Sequence, residues 1–240
     1  MIDTAMILAA GFGTRMRPIT DHTPKPLIPL CGRSLIDHCI DRLIAAGVKR
    51  VVVNTHYKAP MMAEHLKQRH DVEIVLSHEE TLLDTGGGAK NALKHLGEAF
   101  FVINADVFWL NGRTPALLRL ANAWDPARLD ALLLVQRTTS AVGYDGVGDF
   151  AVDALGYVRR RAEREVVPYL FGGIEILSRR FFAGSPNGAF SLNPLWNKAI
   201  VAGRLAAIIH DGEWFHVGTP QGLAASEDRL TERNLWPGSL

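Results

Sequence analysis

Residues Thr4-Ala5-Met6-Ile7-Leu8-Ala9 form a short apolar run that closes on small residues and passes into Gly11-Phe12-Gly13. A run of this length and composition reads as a buried strand of a parallel sheet delivering a loop at its carboxyl end, the edge where ligands of open α/β sheets gather. Glycine lacks a Cβ and tolerates positive φ, so successive N–H groups in such a loop can approach an anion closely. The loop continues as Thr14-Arg15-Met16-Arg17-Pro18 and then Pro24-Lys25-Pro26-Leu27. Thr14 adds a hydroxyl, Arg15 a planar fork suited to bidentate phosphate contact, and Lys25 a compact ammonium. Ala9, Ala10, Gly11, Gly13, Thr14, Arg15 and Lys25 together read as a grip for a nucleoside triphosphate.

Two other phosphate loops are excluded by spacing. No lysine follows a second glycine as G-x-x-x-x-G-K-[ST] requires, and the sixth position of a G-x-G-x-x-G fingerprint is occupied by Met16. Pro18, Pro24, Pro26 and Pro29 forbid a regular helix after the glycines, so the phosphates would be held by N–H groups and cations more than by a helix end.

Beyond this loop, apolar runs alternate with amphipathic stretches, the pattern of βα units on a mostly parallel sheet. Helices are expected over 35–46, opened by Ser34 with Asp37 three residues on and closed by Gly47, and over 59–69, 87–96, 115–124, 192–201 and 221–230. Strands are expected over 50–55, 72–77, 100–105 and 131–137, with shorter ones near Phe150, Tyr157, 169–177 and 206–210. The fold class is therefore α/β, a Rossmann-like doubly wound sheet with helices on both faces. The 240 residues read as one domain, about 1–110 forming a nucleotide half and about 111–240 a second half with a C-terminal helix.

A net charge of +1 argues against a nucleic-acid or membrane surface as partner. No stretch has the length and apolarity of a bilayer span, and no signal peptide is evident. Cys31 and Cys39 lack metal-ligand partners at usual spacings, so a reducing, cytoplasmic setting is expected. His38, His65, His70 and His95 fall within helical patterns and read as surface or packing residues. A carboxylate at Asp106, just past the apolar 100–105 strand, stands at the cleft rim, where a Mg²⁺ could bridge it to phosphate oxygens.

The loop from Leu8 to Arg17 with Pro24-Lys25-Pro26-Leu27 resembles the signature of the sugar-1-phosphate nucleotidyltransferases, the nucleotide-sugar pyrophosphorylases. Asp84-Thr85-Gly86-Gly87-Gly88, Val102-Ile103-Asn104-Ala105-Asp106, Phe171-Gly172-Gly173-Ile174 and Trp214-Phe215-His216-Val217-Gly218-Thr219 follow in the family's order, so that the likeness spans about residues 4–230. The short chain and the T-G-G-G form most resemble the branch that uridylylates N-acetylmuramate 1-phosphate for cell-wall recycling. The resemblance implies nucleotidyl transfer from a nucleoside triphosphate, with UTP favoured over GTP, to a sugar 1-phosphate, by a monomer or small homo-oligomer. The other-class reading is a regulatory domain that binds nucleotide sugars without turnover.

The resemblance also implies a site. Asp106 would hold Mg²⁺, and Thr85, Gly86 and Glu79, five residues before Asp84, would face the base. Gly148, Asp149, Gly173 and Glu175 match segments that bind sugar hydroxyls, whereas the relatives' Glu-Lys-Pro element is missing from Arg159-Arg160-Arg161-Ala162-Glu163-Arg164-Glu165. His216 stands where many relatives carry a metal-binding aspartate. Imidazole suits Mn²⁺ or another softer divalent metal better than Mg²⁺. Direct or water-mediated ligation is the preferred role for His216, with phosphate binding as a cation the alternative.

Overall fold

The computed structural model describes residues 2–232. In chain order the elements are β1 (Thr4–Leu8), β2 (Pro29–Leu30), β3 (Arg33–Ser34), α1 (Leu35–Ala45), β4 (Arg50–Thr55), α2 (Ala59–Leu66), β5 (Glu73–His78), α3 (Asp84–Ala92), β6 (Ala99–Asn104) and β7 (Val107–Leu110). They continue as α4 (Ala116–Ala123), β8 (Ala131–Arg137), β9 (Ala141–Val142), β10 (Phe150–Val152), β11 (Val158–Arg160), β12 (Tyr169–Ser178), α5 (Asn193–Val201), β13 (Leu205–Ile209), β14 (Glu213–His216) and α6 (Pro220–Glu232). Residues 14–27 contain three short 3₁₀ turns and no α-helix, as the prolines dictate.

A nine-stranded sheet carries the fold. Its parallel part runs β5, β4, β1, β6. β12 then pairs antiparallel with both β6 and β8, β13 runs parallel to β8, and the β10–β11 ribbon extends from the start of β12. In β1 and β6 alternate side chains enter opposite cores: Ala5, Ile7, Phe101 and Ile103 face one, Met6, Phe100 and Val102 the other. That two-sided burial is why these strands read as unbroken apolar runs. Helices α1, α2 and α4 supply Ile40, Met62 and Leu120 to the first core, and α3 and α5 supply Ala92 and Trp196 to the second, so the sheet is doubly wound as expected. No helix among the described residues is long and apolar enough to cross a membrane.

Local signals set several boundaries. The Ser34 hydroxyl accepts the Asp37 N–H at 3.2 Å and donates to the Asp37 carboxylate at 2.6 Å, capping α1. Gly47, at φ 89°, stops it. α3 departs from the expected 87–96 helix, starting at Asp84 and ending at Ala92 before a 3₁₀ turn. Gly86, Gly87 and Gly88 lie inside it because there is no space for side chains: a Cβ would press on Phe190, on the Gly188 carbonyl and on Glu79 and Asn54 respectively. A three-stranded sheet, β7–β14–β9, was not legible as such, its strands being short.

Glu175, expected among the sugar-binding residues, belongs instead to the core. It is 1% exposed, on the face of β12 that carries Leu177, and accepts the Trp196 indole N–H at 2.9 Å. Burial pushes its carboxyl up to about 8, against the opposing hydrogen bond from Trp196. The folded protein therefore holds a proton there that the unfolded chain releases above pH 4.5, so this group makes stability fall as pH rises between roughly pH 5 and 8. Glu175→Gln is expected to flatten that part of the stability curve, raising the thermal midpoint relative to wild type at pH 8 but not at pH 4. Parallel pH profiles would refute the assignment.

Candidate active site

β6 ends at Asn104, and a turn through Ala105 and Asp106 leads into β7. Because β14 pairs antiparallel with β7, with His216 opposite Val107, Asp106 and His216 reach one place from distant parts of the sequence. The loop after β1 folds back over it. Gly13 has φ 64°, and its carbonyl accepts the Met16 N–H at 2.8 Å and the Thr20 hydroxyl at 2.9 Å. A Cβ on Gly13 would meet Thr20 Cγ2 at 2.9 Å and Lys25 Cβ at 3.1 Å, so the close return of residues 20–25 requires glycine. Tyr57 donates its hydroxyl to the Thr20 carbonyl at 2.8 Å, and Phe12 packs edge-on against Tyr57 and His56. These contacts hold the loop to the β4–α2 connection.

The folded loop carries Lys25 to the cleft floor. Its Nζ donates to Asp106 Oδ2 at 2.7 Å, and Lys25 is only 9% exposed. Burial alone would raise the Asp106 pKa. The charge and hydrogen bond of Lys25, helped by His216 and Arg15, outweigh that effect and hold the carboxyl below its usual range. His216 moves down, chiefly through burial, with Lys25 and Arg15 adding to the shift and Asp106 opposing it. The shift favours the uncharged imidazole, the form that can act as a ligand. Trp214 stacks on it with centroids 5.9 Å apart, and Gly218 lies so close that a Cβ there would collide with the ring.

Above this floor lies a cleft of about 500 Å³. Residues 8–11 and 13–15 line it together with Lys25, Leu82, Asp84, Thr85 and residues 104–106. Arg15 is exposed and has no hydrogen-bond partner among the described residues. The loop thus offers open glycine backbone, the Thr14 hydroxyl, one unpaired guanidinium and one ammonium to an anion. No group of three or more His, Cys, Asp or Glu able to hold a metal occurs among the described residues. One carboxylate with an adjacent imidazole could hold only an ion that takes its remaining oxygens from substrate and water.

Several expected ligands have other partners. The Glu79 carboxylate is 2% exposed and accepts the Asn54 amide at 2.7 Å and the Leu83 N–H at 2.9 Å, so it braces the wall instead of facing a base. Asn54 Oδ1 in turn accepts the Ala9 N–H at 2.7 Å, which takes that amide out of phosphate binding although Ala9 still lines the cleft. The Gly86 N–H donates to the Phe190 carbonyl at 2.8 Å, and Thr85 Oγ1 accepts the Leu192 N–H at 3.0 Å. Gly148 donates its N–H to the Tyr144 hydroxyl within its own loop, and Asp149 Oδ2 accepts the Phe171 N–H at 2.8 Å, securing the start of β12. Gly173, at φ 72° in the β12 bulge, packs against Val107 and Asn104 beside the Asp106 turn. Asn54, 3% exposed and directly following Val51-Val52-Val53, is the polar residue in a buried run that marks this bracing chain in the sequence.

Residues 4–150 match the nucleotidyl transferase family. The chain belongs to that family. Over 234 residues it is 43% identical to the N-acetylmuramate alpha-1-phosphate uridylyltransferase of Caulobacter vibrioides, covering 95% of this chain and 97% of the relative. Over 109 residues it is 40% identical to the mannose-1-phosphate guanylyltransferase catalytic subunit beta of Drosophila pseudoobscura pseudoobscura, covering 43% of this chain and 29% of that protein. The solved UDP-glucose pyrophosphorylase in complex with UDP-glucose shares the fold, with a TM-score of 0.80 at 16% identity over 97% of this chain and 100% of its own. Gly86 lies in the part of the chain that the family match covers, and here it serves packing. Gly86→Ala should therefore lower stability by about 1–3 kcal/mol through overpacking against Phe190. An unchanged thermal midpoint would refute that role.

Proposed function

We propose that this protein transfers the uridylyl group of UTP to N-acetylmuramate 1-phosphate, releasing pyrophosphate and forming the corresponding nucleotide sugar. The 43% identity to the Caulobacter uridylyltransferase along nearly its whole length supports this choice of substrates. The observation that carries the chemistry is the Lys25 ammonium, 2.7 Å from the Asp106 carboxylate beneath the glycine loop. Residues 1–110 then form the nucleotide side of one transferase unit, and the later residues complete the sugar side. The expected setting is cytoplasmic salvage of cell-wall sugar, by a monomer or small homo-oligomer.

In this reading the sugar phosphate attacks the α-phosphorus in line and pyrophosphate leaves. No general base is needed, since a phosphate monoester with a second pKa of about 6 is already largely dianionic near neutral pH. The protein's task is electrostatic, to bring two anions together and stabilise charge on the departing pyrophosphate. Arg15 and the N–H groups around Gly11 and Gly13 hold the β- and γ-phosphates. Lys25 lies where the α-phosphate and the incoming oxygen meet. Asp106, with His216 as a direct or water-mediated partner, would hold Mg²⁺ or Mn²⁺, which when bound neutralises charge on the α-phosphate.

Pyrophosphate release is to be measured with a panel of nucleoside triphosphates and sugar 1-phosphates, UTP with N-acetylmuramate 1-phosphate giving the highest kcat/KM. The similarity to a guanylyltransferase keeps GTP as the competing outcome. Lys25→Ala should lower kcat by about 10²–10³, the scale for loss of one preorganised charge stabiliser. A loss under about threefold in a folded variant would remove Lys25 from the mechanism. Chelation of divalent ions should abolish turnover, and Mg²⁺ or Mn²⁺ should restore it; turnover that survives chelation would refute the role assigned to Asp106.

A further inference from the structure

The polar side chains of the cleft divide into those already bonded and those still available. Glu79 has both carboxylate oxygens occupied by Asn54 and Leu83, and it does not line the cleft. Asp84, five residues later, does line it and is exposed. Its Oδ1 accepts the Thr85 N–H at 2.6 Å, which fixes the carboxylate plane and leaves Oδ2 with full acceptor capacity. The backbone at Asp84 is left-handed, φ 58°, a conformation unfavourable for most side chains and tolerated best by Asp and Asn. Strained positions held in this way cluster at ligand sites. Leu82, 36% exposed and also lining the cleft, offers an apolar surface beside the carboxylate. The buried chain Ala9, Asn54, Glu79, Leu83 ties this wall to the phosphate loop, setting the width of the slot between them.

We propose that Asp84 selects the nucleobase, its Oδ2 accepting the ring N–H of uracil while Leu82 packs against the ring; this rests on the nucleotidyl-transfer reading above. A carboxylate oxygen at that position pairs with the N3–H of uracil or the N1–H of guanine. It faces a lone pair at the N3 of cytosine or the N1 of adenine, leaving two acceptors opposed without a proton between them. Selection of this kind is effective because the wrong base leaves a polar group unpaired inside the site.

The test is equilibrium binding of UTP and CTP, by titration calorimetry, to wild type, Asp84→Asn and Asp84→Gly. Wild type is expected to prefer UTP by about tenfold or more, the scale of a hydrogen bond to a charged group. Asparagine suits the left-handed backbone and keeps its Oδ1 on the Thr85 N–H, so an amide donor replaces the Oδ2 acceptor. UTP should then bind more weakly and CTP more tightly, narrowing the preference by at least about tenfold. Glycine accepts this φ without strain and removes the acceptor, so UTP weakens alone while the thermal midpoint is maintained. A wild type that does not distinguish UTP from CTP, or a UTP:CTP ratio that both variants leave within about twofold of wild type, would overturn the proposal. The transfer reading fails on a separate measurement, absence of pyrophosphate release by wild type, which these binding ratios do not use.

Discussion

The Lys25 ammonium and the Asp106 carboxylate meet at 2.7 Å in a largely buried place, where each charge offsets the cost of burying the other. Their meeting imposes conditions on both partners. Lys25 arrives only if the loop after β1 doubles back across Gly13, and Asp106 is presented only if β6 stops at Asn104 and turns into β7. The pair therefore joins the loop after β1 to the floor of the cleft, 81 residues apart in sequence. A positive charge beside an ionised carboxylate is also the arrangement a triphosphate site needs, since it can neutralise incoming anions while keeping an anionic oxygen ready for a cation.

A second buried chain sets the walls. Asn54 takes the Ala9 N–H on one side and gives its amide to Glu79 on the other, and Glu79 holds Leu83. Each member satisfies the next, which is why polar groups persist in the interior at the end of β4. Next to it, Gly86 and Gly87 donate their N–H groups to the Phe190 carbonyl, so that segment fastens the start of α3. The cleft between these walls has few exposed polar groups: Thr14, Arg15 and Asp84 at the rim, with Lys25 and Asp106 beneath.

His216 shows how strand pairing can alter the meaning of a residue. Opposite Val107 on β7, it is placed beside Asp106, stacked by Trp214 and confined by Gly218. Burial and two neighbouring cations lower its pKa against the opposing charge of Asp106. The β7–β14 ribbon that achieves this is built from Val107-Phe108-Trp109-Leu110 and Glu213-Trp214-Phe215-His216, whose aromatic side chains fill the space between the main sheet and the loop.

The amino-acid sequence by itself determined the parallel sheet, the helices on both faces and the irregular loop after β1, because these rest on local effects: apolar runs in β1 and β6, the Ser34 cap, glycine at positive φ and prolines that exclude a helix. It also singled out Lys25 and Asp106, which the fold brings within 2.7 Å of each other. Only the tertiary structure decided which acidic side chains face the cleft. Glu79 and Glu175 turn inward toward Asn54, Leu83 and Trp196, while Asp84 faces outward. The physical reason is that a carboxylate's direction depends on strand register and on donors supplied by segments far away in the chain, and neither is encoded in its immediate neighbours.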